Sequence, residues 1–111
     1  MSKLFAVAEA AAVAGGRFAV KASQALERVV IDSRQAGPGS LFVPLPGSRT
    51  DGHEHLLDAL ARGAAAVLVE RRRWRGLATV AGAEARQRGA AVILVTRPLS
   101  ALQDLARSGA G

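Results

Sequence analysis

The spacing of apolar residues changes along the chain, and each change predicts a different structural element. Near the start, apolar residues recur at helical spacing and two glycines follow, which predicts a short helix ending at Gly15. The β-rich run 26–31 predicts a strand, and the apolar run 41–45 predicts a second one. Because Pro44 cannot donate a hydrogen bond to a neighbouring strand, we expect that second strand at a sheet edge or beside a bulge.

The second half of the chain alternates strand-like with helix-like segments. The runs 64–70 and 90–96 are continuously apolar, which is typical of strands buried on both faces of a sheet. Leucines at helical spacing predict helices at 53–62 and 98–107, and a weaker pattern predicts one at 79–88. We therefore predict an α/β fold, with a single-layer, mixed or mostly parallel sheet of short strands flanked by helices.

Length and composition are consistent with one compact domain. The chain has 111 residues, of which 50% are hydrophobic and only 4% aromatic, so its core must consist mainly of Ala, Val and Leu. It has no cysteine, which excludes disulfides and thiolate metal sites. Glu9 interrupts the Ala-rich start, and no apolar run reaches the roughly 18 residues of a membrane span. We expect a cytoplasmic protein without a membrane partner.

The charge is strongly positive. Fifteen Lys and Arg residues oppose nine Asp and Glu, which gives a net charge of +6, and Lys3 and Lys21 are the only lysines. Such an excess suggests a polyanionic partner, either nucleic acid or a phosphorylated small molecule. Alternatively, the arginines reflect a GC-rich genome that places Arg wherever a surface tolerates it. Charge alone leaves both explanations open.

Catalytic and metal-binding motifs are absent from the sequence. No Gly-Lys pair of a phosphate loop occurs, and no G-x-S-x-G motif is present. His53 and His55, with Asp51 and Glu54 nearby, are the one candidate metal cluster, but no third histidine or cysteine completes it. We expect exposed imidazoles at a helix start, and we predict neither a metal site nor a catalytic residue.

Two polar clusters are suited to binding an anion. The segment 32–34 (Asp-Ser-Arg) ends a predicted strand, and the segment 48–53 leads into a predicted helix, whose N-terminus favours negative charge. Hydroxyl and guanidinium groups in these segments would suit a phosphate ester or pyrophosphate. The groups are those of Ser33, Arg34, Ser48, Arg49 and Thr50. Alternatively, the first segment only forms a turn, the second only caps a helix, and the arginines are solvated.

The basic segment 71–75 allows a function of another class. Its four arginines surround Trp74, a combination that could grip a nucleic-acid backbone and stack a base. In the alternative, the arginines are solvated and Trp74 packs on the sheet edge. A small basic nucleic-acid-binding domain is therefore the second functional hypothesis, although we do not expect nucleic acid as the partner.

Several motifs in order resemble the N-terminal domain of the Mur ligases, the ATP-dependent amide-bond ligases of peptidoglycan synthesis. The motifs are DSR at 32–34, PGSLFVPLPG at 38–47, DGH at 51–53 and GAAAVLVE at 63–70, and the segment 100–106 resembles the lead-in to the family's central domain. His53 after Asp51 and Gly52, together with ALQDLA, is more similar to members that add D-alanyl-D-alanine than to the sister ligase that adds the third residue. Pro44 and Pro46 depart from the family's pattern.

The resemblance implies a function for the whole chain. Residues 1–111 would be a single UDP-muropeptide-binding N-terminal domain, non-catalytic alone, without the central ATP-binding and C-terminal domains. Its partners would be a UDP-N-acetylmuramoyl-peptide and the remaining ligase domains. The domain itself would bind no cofactor, whereas the complete enzyme would use ATP and Mg²⁺. The residues implied to line or support the uridine and diphosphate pocket are Ser33, Arg34, Ser48, Arg49, Thr50, Asp51, Gly52 and His53.

Overall fold

A computed structural model describes residues 5–45 and 52–108. These residues form a five-stranded sheet with helices on both faces, together with a small two-stranded sheet. In chain order the elements are β1 Phe5–Ala6, α1 Val7–Ala14, β2 Arg17–Val20, β3 Ala25–Leu26, β4 Arg28–Val30, the 3-10 turn η1 Ser33–Gln35, β5 Ser40–Phe42, the 3-10 turn η2 Gly52–His55, α2 Leu56–Ala61, β6 Ala66–Glu70, α3 Arg71–Arg88, β7 Ala91–Val95 and α4 Pro98–Arg107.

The main sheet is mostly parallel. Its strand order is β2-β7-β6-β5-β4; the four strands from β4 to β7 run parallel, and β2 pairs antiparallel with β7 at one edge. Strands β1 and β3 form the separate antiparallel pair. The predicted α/β class, with a mixed or mostly parallel sheet, is confirmed.

The sheet is buried on both faces, which explains the two continuous apolar runs. On one face, Leu68 and Ile93 pack with α1 and α4. On the other face, Val67, Val69 and Val92 pack with α2 and α3. Because successive side chains of a strand point to opposite faces, a strand covered by helices on both sides needs an apolar residue at every position.

The prediction that the second strand lies at an edge or beside a bulge was wrong, since its pairings with β4 and β6 show no register shift. Strand β5 is flanked by β4 and β6, so it lies inside the sheet. It ends at Phe42, and Pro44 is buried just beyond it. Since Pro44 lies outside the strand, its missing N–H removes no ladder hydrogen bond and sets no constraint on the position of β5.

Helix α3 starts eight residues earlier than predicted, at Arg71 instead of residue 79. Its buried or half-buried positions include Trp74, Leu77, Ala81 and Ala85, which follow helical spacing. The run of arginines at the start of the helix made its apolar positions hard to recognise in the sequence, although arginine itself favours helix. The short strands β1, β2 and β3 were not predicted, because two to four residues are too few to show a strand period.

Gly16 allows the chain to pass close to β7 after α1 has ended at Gly15, whose φ of 68° is left-handed. A Cβ at Gly16 would lie 2.6 Å from Ile93 Cγ2 and 2.7 Å from the Leu94 carbonyl oxygen. We expect Gly16→Ala to lower the free energy of unfolding by about 1–3 kcal/mol, because the sheet must shift to accept the methyl group. Urea denaturation followed by circular dichroism measures the change.

The matched control is Gly76→Ala in α3, where an added Cβ meets no atom within 4 Å. Alanine favours a helix interior over glycine, so this variant should gain up to about 1 kcal/mol. Equal stability of the two variants would contradict the close packing of Gly16 on β7.

Candidate functional site

Parallel pairing brings the carboxyl ends of four strands to one edge of the sheet, the natural position for a ligand site in an open α/β sheet. Turn η1 follows β4, the connection to η2 follows β5, α3 follows β6, and residues 96–98 follow β7. The Asp-Ser-Arg segment therefore leaves the end of β4, and the described part of the second cluster, Gly52 and His53, comes after β5 in the chain. Ser48, Arg49, Thr50 and Asp51 lie outside the described residues, so their place in a site stays a prediction.

The Asp-Ser-Arg segment forms a compact turn. The Asp32 carboxylate accepts a hydrogen bond from the Arg34 backbone N–H at 2.9 Å and pairs with the Arg34 guanidinium at 2.8 Å. The side-chain hydrogen bond from Arg34, followed by the backbone one, lowers the pKa of Asp32 to about 2. The Arg34 side chain is 79% exposed, so its pairing with Asp32 is a surface interaction.

Ser33 faces inward from the same turn. It is only 7% exposed, and a hydrogen bond from its side chain is the largest cause of the lowered pKa of Asp58 in α2. Arg62 also pairs with Asp58, at 3.1 Å. Sequence reasoning missed Asp58 and Arg62, although their i,i+4 spacing on a helix was a signal for their mutual pairing. The contact of Asp58 with Ser33 depends on how η1 and α2 pack.

His53 is buried rather than solvent-exposed. It is 3% exposed, and its Nε2 accepts a hydrogen bond from the Glu70 backbone N–H at 2.9 Å. An accepting Nε2 carries no proton, so the imidazole is neutral here. Burial lowers the pKa of His53, and the negative charge of Glu70 opposes that change. The expectation of exposed imidazoles was therefore wrong for His53, whereas His55 is exposed.

These contacts join three consecutive strand ends. Turn η1, which follows β4, packs against α2, and the hydrogen bond from the Glu70 N–H to His53 links η2 to the end of β6. Buried hydrogen bonds of this kind hold loops in a defined geometry before any ligand arrives. Residues 5–45 and 52–108 contain no group of three or more His, Cys, Asp or Glu side chains placed to hold a metal ion.

The basic segment occupies the first turns of α3. The arginines at 71, 72, 73 and 75 are exposed, whereas Trp74 is half-buried, packs on the apolar cluster beneath α3 and lies against Gly82. Part of the indole surface is therefore used in packing on its own helix and on the cluster beneath it.

A family model described as "Mur ligase family, catalytic domain" matches residues 25–109, which is most of the chain. The chain belongs to the Mur ligase family. The match includes both the Asp-Ser-Arg turn and the strand ends described above, and it confirms the resemblance noted in the sequence.

Similar proteins include two kinds of ligase. The chain is 45% identical over 71 residues to the UDP-N-acetylmuramoyl-tripeptide--D-alanyl-D-alanine ligase of Mycobacterium leprae, covering 59% of the chain and 14% of that protein. It is 53% identical over 45 residues to the UDP-N-acetylmuramoyl-L-alanyl-D-glutamate--2,6-diaminopimelate ligase of Pseudomonas putida, covering 40% of the chain and 9% of that protein. The chain thus spans only a small part of the length of these relatives.

A solved structure has the same fold. The UDP-N-acetylmuramoylalanyl-D-glutamyl-2,6-diaminopimelate--D-alanyl-D-alanyl ligase of Acinetobacter baumannii superposes with a TM-score of 0.72 at 22% identity, over 94% of this chain and 21% of that one. At this identity the likeness establishes the fold. In the described residues, no helix is long and apolar enough to cross a bilayer.

The buried His53 predicts a pH dependence of stability. Its pKa lies below the usual 6.5 in the folded state, so the unfolded chain binds a proton first as the pH falls. The contribution of neutral, buried His53 to the free energy of unfolding is complete above pH 6.5 and is lost as the pH falls below that value. We expect the free energy of unfolding to decrease between pH 7.5 and 5, as measured by urea denaturation at several pH values.

His53→Gln supplies an acceptor for the Glu70 N–H that does not titrate in this range, so the decrease between pH 7.5 and 5 should become smaller. His55→Gln is the matched control, because His55 is exposed, and it should retain the decrease. An unchanged pH profile in His53→Gln would show that His53 does not cause the dependence.

Proposed function

We propose that this chain is the N-terminal, substrate-binding domain of a Mur ligase, and that it holds the UDP end of UDP-N-acetylmuramoyl-tripeptide for the addition of D-alanyl-D-alanine. The observation that carries the proposal is the Asp-Ser-Arg turn at the carboxyl end of β4, tied to the helix that follows the second polar cluster. Family membership supplies the reaction class. The matching family model is described as a catalytic domain, yet the chain has no Gly-Lys pair of a phosphate loop, which favours a binding role.

The chemistry of the turn suggests which part of the ligand each residue would contact. Ser33 is 7% exposed and lies in the turn that packs against α2, and its hydroxyl can donate a hydrogen bond to a ligand or accept one from it. Arg34 is exposed and held only by a surface pair, so it can exchange Asp32 for a phosphate oxygen at small cost.

His53 and the residues outside the described ranges have different proposed roles. His53 is buried with its Nε2 occupied, so we assign it the positioning of η2 rather than direct contact with the ligand. Ser48, Arg49, Thr50, Asp51 and Gly52 remain proposed pocket residues, on the resemblance and on their position in the chain between β5 and α2. The chain described here would then bind and orient, with no bond-making step of its own.

The complete ligase would supply the reaction. We propose that ATP and Mg²⁺ act in a part of the longer enzyme other than this domain, and that the enzyme works in the cytoplasm on a UDP-linked precursor. The chain spans about a seventh of the Mycobacterium leprae relative, which leaves ample length for those functions in such proteins. Partners of the domain would therefore be the muropeptide and the remaining ligase domains.

The choice of the D-alanyl-D-alanine-adding ligase rests on the extent of similarity. The match to that enzyme extends over 71 residues, whereas the match to the diaminopimelate-adding ligase extends over 45 residues at somewhat higher identity. The longer match favours the first, and ALQDLA at 101–106 favours it as well. The sister ligase is the alternative within the family.

An amide NMR titration with UDP, then with UDP-N-acetylmuramic acid, tests the proposal. We expect shifts at Ser33, Arg34 and Gly52, and we expect Ser33→Ala to weaken UDP binding by about tenfold, since a buried hydroxyl is lost. Ser100→Ala, at an exposed position of α4, is the matched control and should bind as the parent chain does. The amide spectrum of each variant checks that it is folded.

Absence of shifts around η1 in a folded chain at millimolar UDP would contradict binding by this domain. Equal weakening by Ser33→Ala and Ser100→Ala would contradict the specific role of Ser33. Shifts at η1 that require the muramoyl group, and not UDP alone, would move the main contact from the uridine to the sugar.

A further inference from the structure

A second candidate site lies at the same edge of the sheet, two strands away from the Asp-Ser-Arg turn. A cavity of about 340 Å³ opens between the first turns of α3 and α4. Because β6 and β7 are parallel and in register up to Glu70 and Val95, the residues that follow them meet at this point. The lining residues are Glu70, Arg72, Thr96, Arg97, Pro98 and Leu99. No function has been assigned to this cavity above.

The two arginines of the cavity have unused side-chain donors. Arg34, Arg62, Arg88 and Arg107 each pair with a carboxylate at 3.1 Å or less. The side chains of Arg72 and Arg97 make no hydrogen bond or ion pair with any residue in the described ranges, and several other exposed arginines share this property. What distinguishes Arg72 and Arg97 is that both line the same concave surface.

The polarity around the cavity favours negative charge. Helices α3, with 18 residues, and α4, with 10 residues, both begin at its rim. Neither helix has an acidic residue in its first turn, and neither receives a hydrogen bond from the side chain of its N-cap residue. Acidic residues are normally favoured there, so two positive helix ends add to the field of the arginines. The carboxylate of Glu70, the N-cap residue of α3, is the acidic group among the lining residues and offsets part of this positive field, which leaves the two arginines in excess.

The shape and lining of the cavity favour a small ligand. The cavity is concave and bounded on one side by Pro98 and by Leu99, which is 51% exposed, so it suits a small ligand with an apolar part. A nucleic acid would need a longer track and an aromatic face, and Trp74 packs against its own helix. Arginine forks match the oxygens of a phosphate group bidentately.

We propose that this cavity binds a phosphate group, with Arg72 and Arg97 as its charged ligands and the Thr96 hydroxyl as a further donor. The proposal does not depend on uridine binding at the Asp-Ser-Arg turn. The phosphate group can belong to the diphosphate of a nucleotide-linked substrate or to a separate phosphorylated compound, and the two sources share the same recognition chemistry. Pro98 and Leu99 contact the apolar part of the ester.

The test is an amide NMR titration of this chain with inorganic phosphate, pyrophosphate, UDP and uridine, at constant ionic strength. We expect phosphate and pyrophosphate to shift the amides of Arg72, Thr96 and Arg97. The double variant Arg72→Gln/Arg97→Gln should bind pyrophosphate at least about tenfold more weakly, because both charged ligands are lost. Both positions are exposed, so the variant should fold, and its amide spectrum verifies this.

The matched control is Arg17→Gln/Arg86→Gln, which removes the same net charge from two exposed arginines away from the cavity. Its pyrophosphate affinity should change by less than about twofold, since only distant, screened charge is lost. Equal weakening in the two double variants would overturn the proposal in favour of diffuse attraction to net charge. Parent-like binding by the cavity variant would also overturn it.

Comparing UDP, pyrophosphate and uridine shows whether the phosphate comes from a nucleotide or from another compound. The same comparison tests phosphate binding in the cavity separately from uridine binding at the Asp-Ser-Arg turn. If one nucleotide spans both sites, UDP shifts the amides of Ser33 and Thr96 together, and the cavity variant weakens UDP binding. If the phosphate belongs to another compound, pyrophosphate still shifts Thr96 when UDP is saturating. Shifts at Thr96 with none at Ser33 would support the phosphate site while contradicting the proposed function, whereas uridine should shift Ser33 alone.

Discussion

Parallel pairing of β4 to β7 is the constraint on which the rest of the molecule depends. Parallel neighbours cannot be joined by a tight hairpin, so each connection must return across a face of the sheet. The connecting helices α2 and α3 cover one face, and α1 and α4, which precede and follow the paired strands in the chain, cover the other, so the strands must be apolar throughout. The same geometry delivers every connection that leaves a parallel strand to one edge. The apolar core and the position of the polar segments are thus two consequences of one pairing pattern.

Buried polar groups in this fold serve to join the segments that leave that edge. Ser33 and His53 are both more than nine-tenths buried; Ser33 lies in the turn that packs against α2, and His53 accepts a hydrogen bond from the Glu70 N–H. A buried hydroxyl or imidazole is costly unless it is hydrogen-bonded, so these contacts fix the turns that contain them. A structural role of this kind is compatible with ligand binding, because a turn held in place presents its remaining donors and acceptors without further ordering.

The arginines divide into two groups with different physical meanings. One group pairs with carboxylates three or four residues away on the same helix, and these ion pairs are surface interactions that stabilise the fold only slightly. Arg72, in the first turn of α3, and Arg97, at the N-cap of α4, differ from that group because they lie at helix N-termini, where positive charge is unfavourable. General surface tolerance explains the paired arginines better than it explains these two.

The sequence by itself determined the class of the fold, because apolar runs such as those ending at Glu70 and Val95 report burial on both faces, and α4 matches the predicted 98–107. It also indicated the Asp-Ser-Arg segment at a strand end, since that signal is local. Only the packing of distant parts of the chain set β5 inside the sheet, buried His53 against Glu70, placed η1 against α2, and put Arg72 and Arg97 on the lining of one cavity. Each of these depends on contacts between residues distant in the chain. Local periodicity carries no information about which strand end lies beside which, and that adjacency sets the burial and charge of the site.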